Sequence, residues 1–243
     1  MAERRTAVVV GVGAEEGLGA ALCKRLAREG LHVFIGGRTQ ARIESLAQKI
    51  RSSGGAATAV ACDTTNEKDV IRLFDAAERA GTLDLVIFNA GNNQWGDLAA
   101  MEAKFFEDMW RVACFGGFLV GREAARRLPA RGRGTVLFTG ATASVRGRPP
   151  FAAFASAKAG LRALAQTMAR DLGPKGIHVA HIIIDGGIKG DQILGRFPGY
   201  AELKGEDGML DIDAIADTYW HLYTQHRTTW THELDLRPFK EPF

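Results

Sequence analysis

The sequence predicts an α/β fold: one domain with a doubly wound, mostly parallel seven-stranded sheet and helices on both faces. Short runs of aliphatic and β-branched residues alternate with segments of helical spacing along the chain. This alternation is typical of parallel strands joined by right-handed helical crossovers. Most of the runs are continuously apolar, which indicates strands that are buried on both faces.

The elements follow in chain order. Seven apolar runs predict strands at residues 6–12, 31–36, 56–61, 83–89, 135–139, 177–184 and 231–236. Helical spacing follows the candidate caps Thr39 and Asn66, and a long helix is expected at 151–172. The last strand alternates in polarity, which suits a sheet edge. The glycine-rich segment 186–211 follows a late strand and is a candidate substrate lid.

Composition excludes several classes of protein. With 243 residues, 46% hydrophobic and 24% charged, the chain suits one globular domain spanning 1–243. A net charge of +3 gives no support to a nucleic-acid partner. No apolar run reaches the ~18 residues of a membrane span, and we expect no membrane partner. The apolar run at 7–10 leads into Gly11, so it indicates a first strand and not a signal peptide.

The cysteines indicate a reducing compartment. Cys23, Cys62 and Cys114 are odd in number and widely spaced, without the spacing of metal ligands. We therefore expect a cytoplasmic protein without a metal site.

A glycine-rich turn links the first strand to the first helix. Gly13, Gly17, Leu18 and Gly19 follow the strand, and 20–29 is helical in pattern. Such glycines allow a tight turn, and the helix N-terminus presents free N–H groups to a pyrophosphate. The turn therefore indicates a Rossmann-type nucleotide site, although the spacing G-x-x-x-G-x-G differs from G-x-G-x-x-G.

Four motifs in order make the sequence similar to the short-chain dehydrogenase/reductase family, over nearly the whole chain. They are the glycine spacing, Cys62-Asp63-Thr64, Asn89-Ala90-Gly91 and Lys158 in Ala155-Ser156-Ala157-Lys158-Ala159. The resemblance implies an NAD(P)-dependent oxidoreductase that acts on a small molecule, usually as a homodimer or homotetramer. The cofactor-binding positions that it implies are Gly13, Gly17, Leu18, Gly19, Arg38, Asp63, Thr64, Asn89, Ala90, Gly91, Lys158 and Ile188.

The second strand ends in residues that favour NADP over NAD. Gly37 stands where the resemblance implies an acid for the ribose 2′-hydroxyl, and Arg38 can pair with a 2′-phosphate. Glu16 argues for NAD, because a carboxylate near a phosphate repels it. The alternative is that Arg38 is a solvated residue at the start of a helix and binds no phosphate.

The catalytic positions depart from the family pattern. Counting from Lys158, Phe154 stands at the usual tyrosine, Ala141 at the usual serine and Ala113 at the usual asparagine. No shift of alignment supplies the tyrosine, because the first one in the chain is Tyr200. The remaining catalytic candidates are Lys158 and the hydroxyls of Thr142 and Ser144, with Thr139 also close.

Two further polar residues allow opposite interpretations. Asp185 replaces the family's proline before the nicotinamide segment, and we interpret it as a turn residue before glycine, with a base or cation ligand as the alternative. His181 lies within an apolar strand, so a core or interface histidine is favoured over a catalyst.

Three functions remain open from the sequence. The first is an active oxidoreductase with altered acid–base groups, acting on a substrate such as an activated double bond. The second is a catalytically silent nucleotide-binding sensor or partner subunit. A dehalogenase or epimerase ranks last, because such relatives keep the serine–tyrosine pair and lose the glycines.

Overall fold

A computed structural model describes residues 4–91 and 93–242, and its centre is one parallel sheet. The seven strands have the order β3-β2-β1-β4-β5-β6-β7, and every neighbouring pair is parallel. The strands are β1 (Arg5–Val10), β2 (His32–Gly37), β3 (Ala56–Ala61), β4 (Thr82–Phe88), β5 (Gly134–Thr139), β6 (Ile177–Ile184) and β7 (Glu233–Leu236). The expected fold class is confirmed.

Helices connect the strands on both faces. They are α1 (Leu18–Arg28), α2 (Gln40–Ser52), α3 (Glu67–Ala80), α4 (Ala103–Trp110), α5 (Gly116–Arg127), α6 (Ala152–Leu172), α7 (Asp191–Arg196), α8 (Tyr200–Lys204) and α9 (Ile212–Thr224). A π-helical segment, Arg111–Phe115, joins α4 to α5 without a break. In residues 4–91 and 93–242, no helix is long and apolar enough to span a bilayer.

The core has two layers because side chains alternate along the buried strands. Ala7 and Val9 of β1 pack toward α1, α2 and α9, whereas Val8 and Val10 pack toward α3, α5 and α6. All four residues have no exposed surface. This burial on both faces explains why β1 has no polar alternation.

The sequence locates the elements to within about two residues. Asn66 caps α3 as expected, and its side chain accepts hydrogen bonds from the backbone N–H groups of Lys68 and Asp69. Thr39 occupies the N-cap of α2 but makes no capping bond with its side chain. Segment 186–211 is less irregular than expected, because it contains α7 and α8.

The strand order places a crevice above the carboxyl ends of β1 and β4. The chain leaves β1 toward β2 on one side, whereas β4 lies on the other side of β1. Such a reversal of strand order opens a space between the adjoining loops, and ligands of open α/β sheets bind there. The loops after β1, β4, β5 and β6 therefore form the candidate site.

Candidate functional site

The turn after β1 is shaped for close contact with a ligand and with β4. Gly11 has φ +84°, and a Cβ added there would lie 2.3 Å from the backbone nitrogen of Ala90. The Asn89 side-chain amide donates a hydrogen bond to the Gly11 carbonyl over 3.1 Å. A Cβ on Gly19 would lie 2.9 Å from the same carbonyl, so α1 approaches β1 more closely than any larger residue permits.

The N-terminus of α1 is open toward this turn. Gly17 is the N-cap residue, and neither a capping side chain nor an acidic residue in the first turn of α1 occupies the helix end. The backbone N–H groups and the positive end of the helix dipole favour a phosphate at this place. The arrangement fits the pyrophosphate of a dinucleotide.

The end of β2 excludes the acid that would select NAD. A Cβ on Gly37 would lie 2.5 Å from the Val12 carbonyl oxygen and 2.7 Å from the Ile43 side chain, so a carboxylate there requires the backbone to move. A cleft of about 260 Å³ lies beside it. Its walls are Arg38, Asp63, Thr65, Asp108, Arg111 and Val112. Two guanidinium groups and two carboxylates thus line the cleft beside Gly37.

Asp63 is held in place by its neighbour. Its Oδ1 accepts hydrogen bonds from the Thr65 backbone N–H, at 2.9 Å, and from the Thr65 hydroxyl, at 2.8 Å. Thr64 is buried beneath α5, where a Cβ on Gly116 would lie 2.9 Å from its hydroxyl. These contacts fix the loop after β3 at the edge of the cleft.

Lys158 reaches from α6 into the centre of the site. The residue is 3% exposed, and its Nζ donates a hydrogen bond to the Thr139 carbonyl at the end of β5 over 2.7 Å. A Cβ on Gly91 would lie 3.1 Å from this Nζ, so the lysine borders the Asn89-Ala90-Gly91 turn. Burial lowers the pKa of Lys158 from 10.5 to about 8.

Phe154 makes the region next to Lys158 apolar. The Lys158 Nζ lies 5.8 Å from the centre of the Phe154 ring, which is 7% exposed. The ring belongs to a cluster whose other members are Met101, Phe105, Met109, Ala141, Ala143, Phe151 and Ala153. Where the resemblance implies a tyrosine and a serine, the structure therefore brings together two apolar side chains.

The third position, Ala113, lies within the π-helical segment and has no exposed surface. The segment packs against α6. Short π-helical turns are rare and often mark functional sites. The π-helical segment is thus present in this chain, and its central residue is an alanine.

The tyrosines lie at three different places. Tyr219 is fully buried under β5, where its hydroxyl shares a 2.7 Å hydrogen bond with the Thr139 hydroxyl, and burial raises its pKa. Tyr223 donates to Asp84 at the opposite end of β4, over 2.6 Å. Tyr200 lies on α8, with its ring 2.8 Å from a Cβ placed on Gly187. None of the three contacts Phe154 or Lys158 in the hydrogen bonds and ring contacts of the described residues.

A polar network borders the apolar cluster. The Thr142 hydroxyl donates a hydrogen bond to Asp185, which is 3% exposed. Arg146 and Arg237 both pair with the same carboxylate. The Ser144 hydroxyl accepts a 3.0 Å hydrogen bond from the Ala141 backbone N–H, so it holds the loop after β5. Asp185 is therefore more than a turn residue, since its side chain binds three others.

His181 lies beneath this network. It has no exposed surface, its Nδ1 lies 2.9 Å from Glu233, and Arg162 donates two hydrogen bonds to that carboxylate. Burial lowers the pKa of His181 to about 4, so the ring is neutral at pH 7. The contacts agree with the interpretation of a core histidine, which joins β6 to the edge strand β7.

Segment 186–211 contacts the loops on both sides of the crevice. Asp191 and Glu16 exchange two hydrogen bonds, of 2.9 and 3.0 Å, which tie α7 to the glycine-rich turn. Arg196 donates to the Asn93 carbonyl over 2.6 Å. Ile188 lies between Gly187 and Lys189, and each of these pairs with Leu210 over 2.8 Å. The segment thus touches the loops after β1 and β4.

Sequence reasoning missed several members of the site. Gly11 was visible as a glycine directly after an apolar strand, which signals a positive φ. Arg146 and Arg237 carried no local signal, because they meet Asp185 only through tertiary structure. No group of three or more His, Cys, Asp or Glu suited to a metal is found in residues 4–91 and 93–242.

These observations define a Rossmann-type α/β protein whose crevice suits a dinucleotide. The model of the short chain dehydrogenase family matches residues 6–191. Versicolorin reductase of Emericella nidulans is 33% identical over 192 residues, which cover 78% of this chain and 71% of that protein. Gluconate 5-dehydrogenase of Gluconobacter oxydans is 31% identical over 206 residues, covering 84% and 75%. The chain belongs to the short-chain dehydrogenase family.

Solved structures agree with this assignment. A crystal structure of a short-chain dehydrogenase from Rhodopseudomonas palustris has 40% identity and a TM-score of 0.83, covering 97% of this chain and 99% of that one. An alcohol dehydrogenase from the archaeon Thermococcus sibiricus, complexed with 5-hydroxy-NADP, has 26% identity and a TM-score of 0.86, covering 99% of both chains. The chain is thus an oxidoreductase by family.

Proposed function

We propose that this protein is an NADP-dependent oxidoreductase with altered acid–base groups, which acts on a small molecule. One observation carries the proposal: Lys158 lies buried at the Asn89-Ala90-Gly91 turn, with an apolar side chain, Phe154, next to it. The residues expected to bind the nucleotide are present in the sequence, whereas those expected to donate a proton are replaced by Phe154 and Ala141. The 5-hydroxy-NADP in the Thermococcus sibiricus enzyme supports the choice of cofactor.

The chain's own residues divide the work of binding. The open N-terminus of α1 would hold the pyrophosphate, Arg38 the 2′-phosphate and Lys158 the ribose hydroxyls next to the nicotinamide. Bound NADPH would supply the hydride. The lid from Gly187 to Leu210 would exclude water, and Asp191 would hold it against Glu16.

Lys158 is the candidate proton source. Its pKa of about 8 keeps it mostly protonated at pH 7 and close enough to neutrality for proton transfer. The three Nζ protons allow one bond to Thr139 while others face the crevice. The Thr142 hydroxyl is a poorer donor to substrate, because its proton is directed to Asp185.

The surface of α4 and α5 supports a homo-oligomer as part of the proposal. Phe106, Trp110 and Phe118 recur at intervals of four and eight residues, and each is more than a third exposed. Residues at such intervals lie on one helix face. We propose that a second copy of the chain covers this face, in a homodimer or homotetramer within a reducing, cytoplasmic compartment.

The test has two stages. NADPH and NADH are titrated against the protein by fluorescence, and NADPH oxidation is then followed with carbonyls, enones and quinones. The proposal is supported if NADPH binds more tightly than NADH and any of these compounds is turned over. Tighter binding of NADH overturns the choice of NADP as the cofactor. Binding without turnover over the whole panel would instead favour the silent nucleotide-binding sensor or partner subunit.

A further inference from the structure

Three aromatic rings meet at the mouth of the crevice. Trp95, in the loop after β4, lies 6.3 Å edge-on from Phe151 at the start of α6 and 5.4 Å from Phe197 after α7. The Arg196 guanidinium lies 5.1 Å from the Trp95 ring and 5.5 Å from the Phe197 ring. We name Trp95, Phe151, Phe197 and Arg196 the aromatic clamp.

The clamp joins three separate parts of the chain. The Gly96 backbone N–H donates to the Pro150 carbonyl over 3.0 Å, which ties the loop after β4 to the start of α6. Arg196 ties the lid to the same loop through Asn93. Hydrogen bonds between three parts of the chain therefore hold the residues of the clamp together, so they are not isolated surface residues.

An open aromatic surface remains at the clamp. Trp95 is 49% exposed despite its neighbours on both sides. Phe151 continues the surface inward, because it packs in the same cluster as Phe154, whose ring borders Lys158. Aromatic side chains thus run from the mouth of the crevice to the residue proposed to hold the nicotinamide ribose. The rings are inclined to one another, by 66° between Trp95 and Phe151 and by 41° between Trp95 and Phe197. A flat aromatic ligand complements such a surface, since aromatic rings attract one another both edge-to-face and offset-stacked.

The residues at the inner end of the crevice, next to Lys158, narrow the class of substrate further. Hydride addition to an isolated ketone produces an alkoxide, a strong base that needs a positioned acid. Phe154 and Ala141 supply no proton, and the proton of Thr142 is directed to Asp185. Lys158, the remaining proton source, donates to the Thr139 carbonyl and is proposed to hold the ribose hydroxyls, so no acid is dedicated to the substrate oxygen. Hydride addition to a quinone produces a hydroquinone monoanion, whose charge is spread over an aromatic ring. That product forms without a strong acid beside it.

We propose that the aromatic clamp binds a planar quinone and that quinones are the substrate class of this enzyme, an inference that rests on the proposed NADP-dependent function. In the reaction, one hydride with its electron pair passes from NADPH to the quinone, giving NADP⁺ and the hydroquinone monoanion. A proton from water or Lys158 then completes the hydroquinone.

A binding experiment tests the clamp without catalysis. A 1,4-naphthoquinone is titrated against the protein with NADP⁺ present, and quenching of tryptophan fluorescence is measured. Trp95→Phe is compared with Trp220→Phe, which changes a half-buried tryptophan on α9. Saturable quenching that is lost in Trp95→Phe and kept in Trp220→Phe is expected. Quenching that is equal in both variants, or that does not saturate, overturns the clamp as the binding site.

A kinetic experiment tests the substrate class. 1,4-Naphthoquinone is compared with 1-tetralone, a two-ring ketone of similar size whose reduction gives an alkoxide. We expect kcat/KM for the quinone to be at least about 100-fold higher, the range attributed to a missing general acid. In Trp95→Ala the quinone KM should rise about three- to tenfold with little change in kcat. Equal turnover of tetralone overturns the inference and leaves the proposed oxidoreductase intact.

Tyr200 provides the last control, because it is the tyrosine on the lid. Its ring lies against Gly187 and 6.3 Å from Phe197. Unchanged quinone reduction in Tyr200→Phe supports a site that needs no tyrosine. A loss of 100-fold or more in kcat would overturn the inference. NADPH binding is measured separately, and its failure would count against the proposed function. The quenching experiment then still decides whether the quinone binds.

Discussion

The Thr142 hydroxyl donates a hydrogen bond to the buried carboxylate of Asp185, one residue beyond the position at which the family resemblance implies a serine. Two arginines, Arg146 and Arg237, pair with the same carboxylate. The proton of the hydroxyl closest to the expected serine is thus engaged by Asp185.

Removing the Asp185 charge should destabilise the protein far more than removing the Thr142 hydroxyl. Asp185→Asn removes the buried carboxylate that Arg146 and Arg237 share, although Arg237 keeps its 3.2 Å contact with Asp235. We expect a loss of about 3 kcal/mol in the free energy of unfolding. Thr142→Val removes one hydrogen bond and should cost about 1 kcal/mol. Urea denaturation of both variants measures the difference. Equal losses would mean that the arginines find other partners.

A tyrosine restored beside Lys158 should bring back reduction of simple ketones. In Phe154→Tyr with Ala141→Ser, the new phenol lies near the Lys158 ammonium, which now lies 5.8 Å from the Phe154 ring. We expect kcat/KM for a simple ketone to rise about 10²- to 10⁴-fold, the usual contribution of a positioned acid.

The control for this gain is Phe239→Tyr, which adds the same hydroxyl to an exposed position after β7. Its rate should equal that of the parent protein. If the double variant binds NADPH and its ketone activity does not rise, the protein lacks more than the hydroxyls at 154 and 141.

The sequence predicted the nucleotide half of the site better than the chemical half. Asp63 and Asn89 follow strands closely, whereas Gly19 lies in the first turn of α1 and Lys158 lies in α6 after β5, so the order of the elements brings them to one crevice. The Asp185 network needed tertiary structure, because Thr142, Arg146 and Arg237 come from the loops after β5 and β7. No local pattern connects residues so far apart in the chain.

The aromatic residues show the same limit. Trp95, Phe151 and Phe197 have no common spacing, and each alone suits a core or surface position. Their meeting depends on the path of segment 186–211, which the sequence predicted to be irregular and a candidate lid without indicating its contacts. The helices α7 and α8 within the lid are too short to produce a clear periodic pattern.

Arg38 should determine the preference for NADPH. Arg38→Ser removes a charge at the cleft that borders Asp63, and we expect the Kd for NADPH to rise about 10- to 100-fold, as for the loss of a charged hydrogen bond. The Kd for NADH, which has no 2′-phosphate, should change little. Fluorescence titration measures both.

The matched control is Arg42→Ser. Arg42 is an exposed arginine in the first turn of α2, four residues after Arg38. The substitution carries the same change in net charge, so it separates a local contact from general electrostatic attraction. A parallel weakening of NADPH binding in both variants would count against a specific role for Arg38.

Lys158 should lower the stability of the folded chain at neutral pH. Burial lowers its pKa from 10.5 to about 8, so the folded state gives up this proton more readily than the unfolded chain. Between pH 8 and pH 10.5 the unfolded state holds more protons at this site, and stability therefore rises with pH through that window. Below pH 8 the full cost of about 3 kcal/mol is present.

Lys158→Met keeps the length of the side chain and removes the buried charge. It leaves the Thr139 carbonyl without the Lys158 hydrogen bond, which offsets about 1 kcal/mol of the gain. We expect the variant to be about 2 kcal/mol more stable at pH 7, and to lose the rise between pH 8 and pH 10. Lys68→Met, at an exposed position on α3, should keep that rise. Denaturant unfolding at a series of pH values checks both, and a variant less stable than the parent at pH 7 would show that the ammonium is well solvated in the crevice.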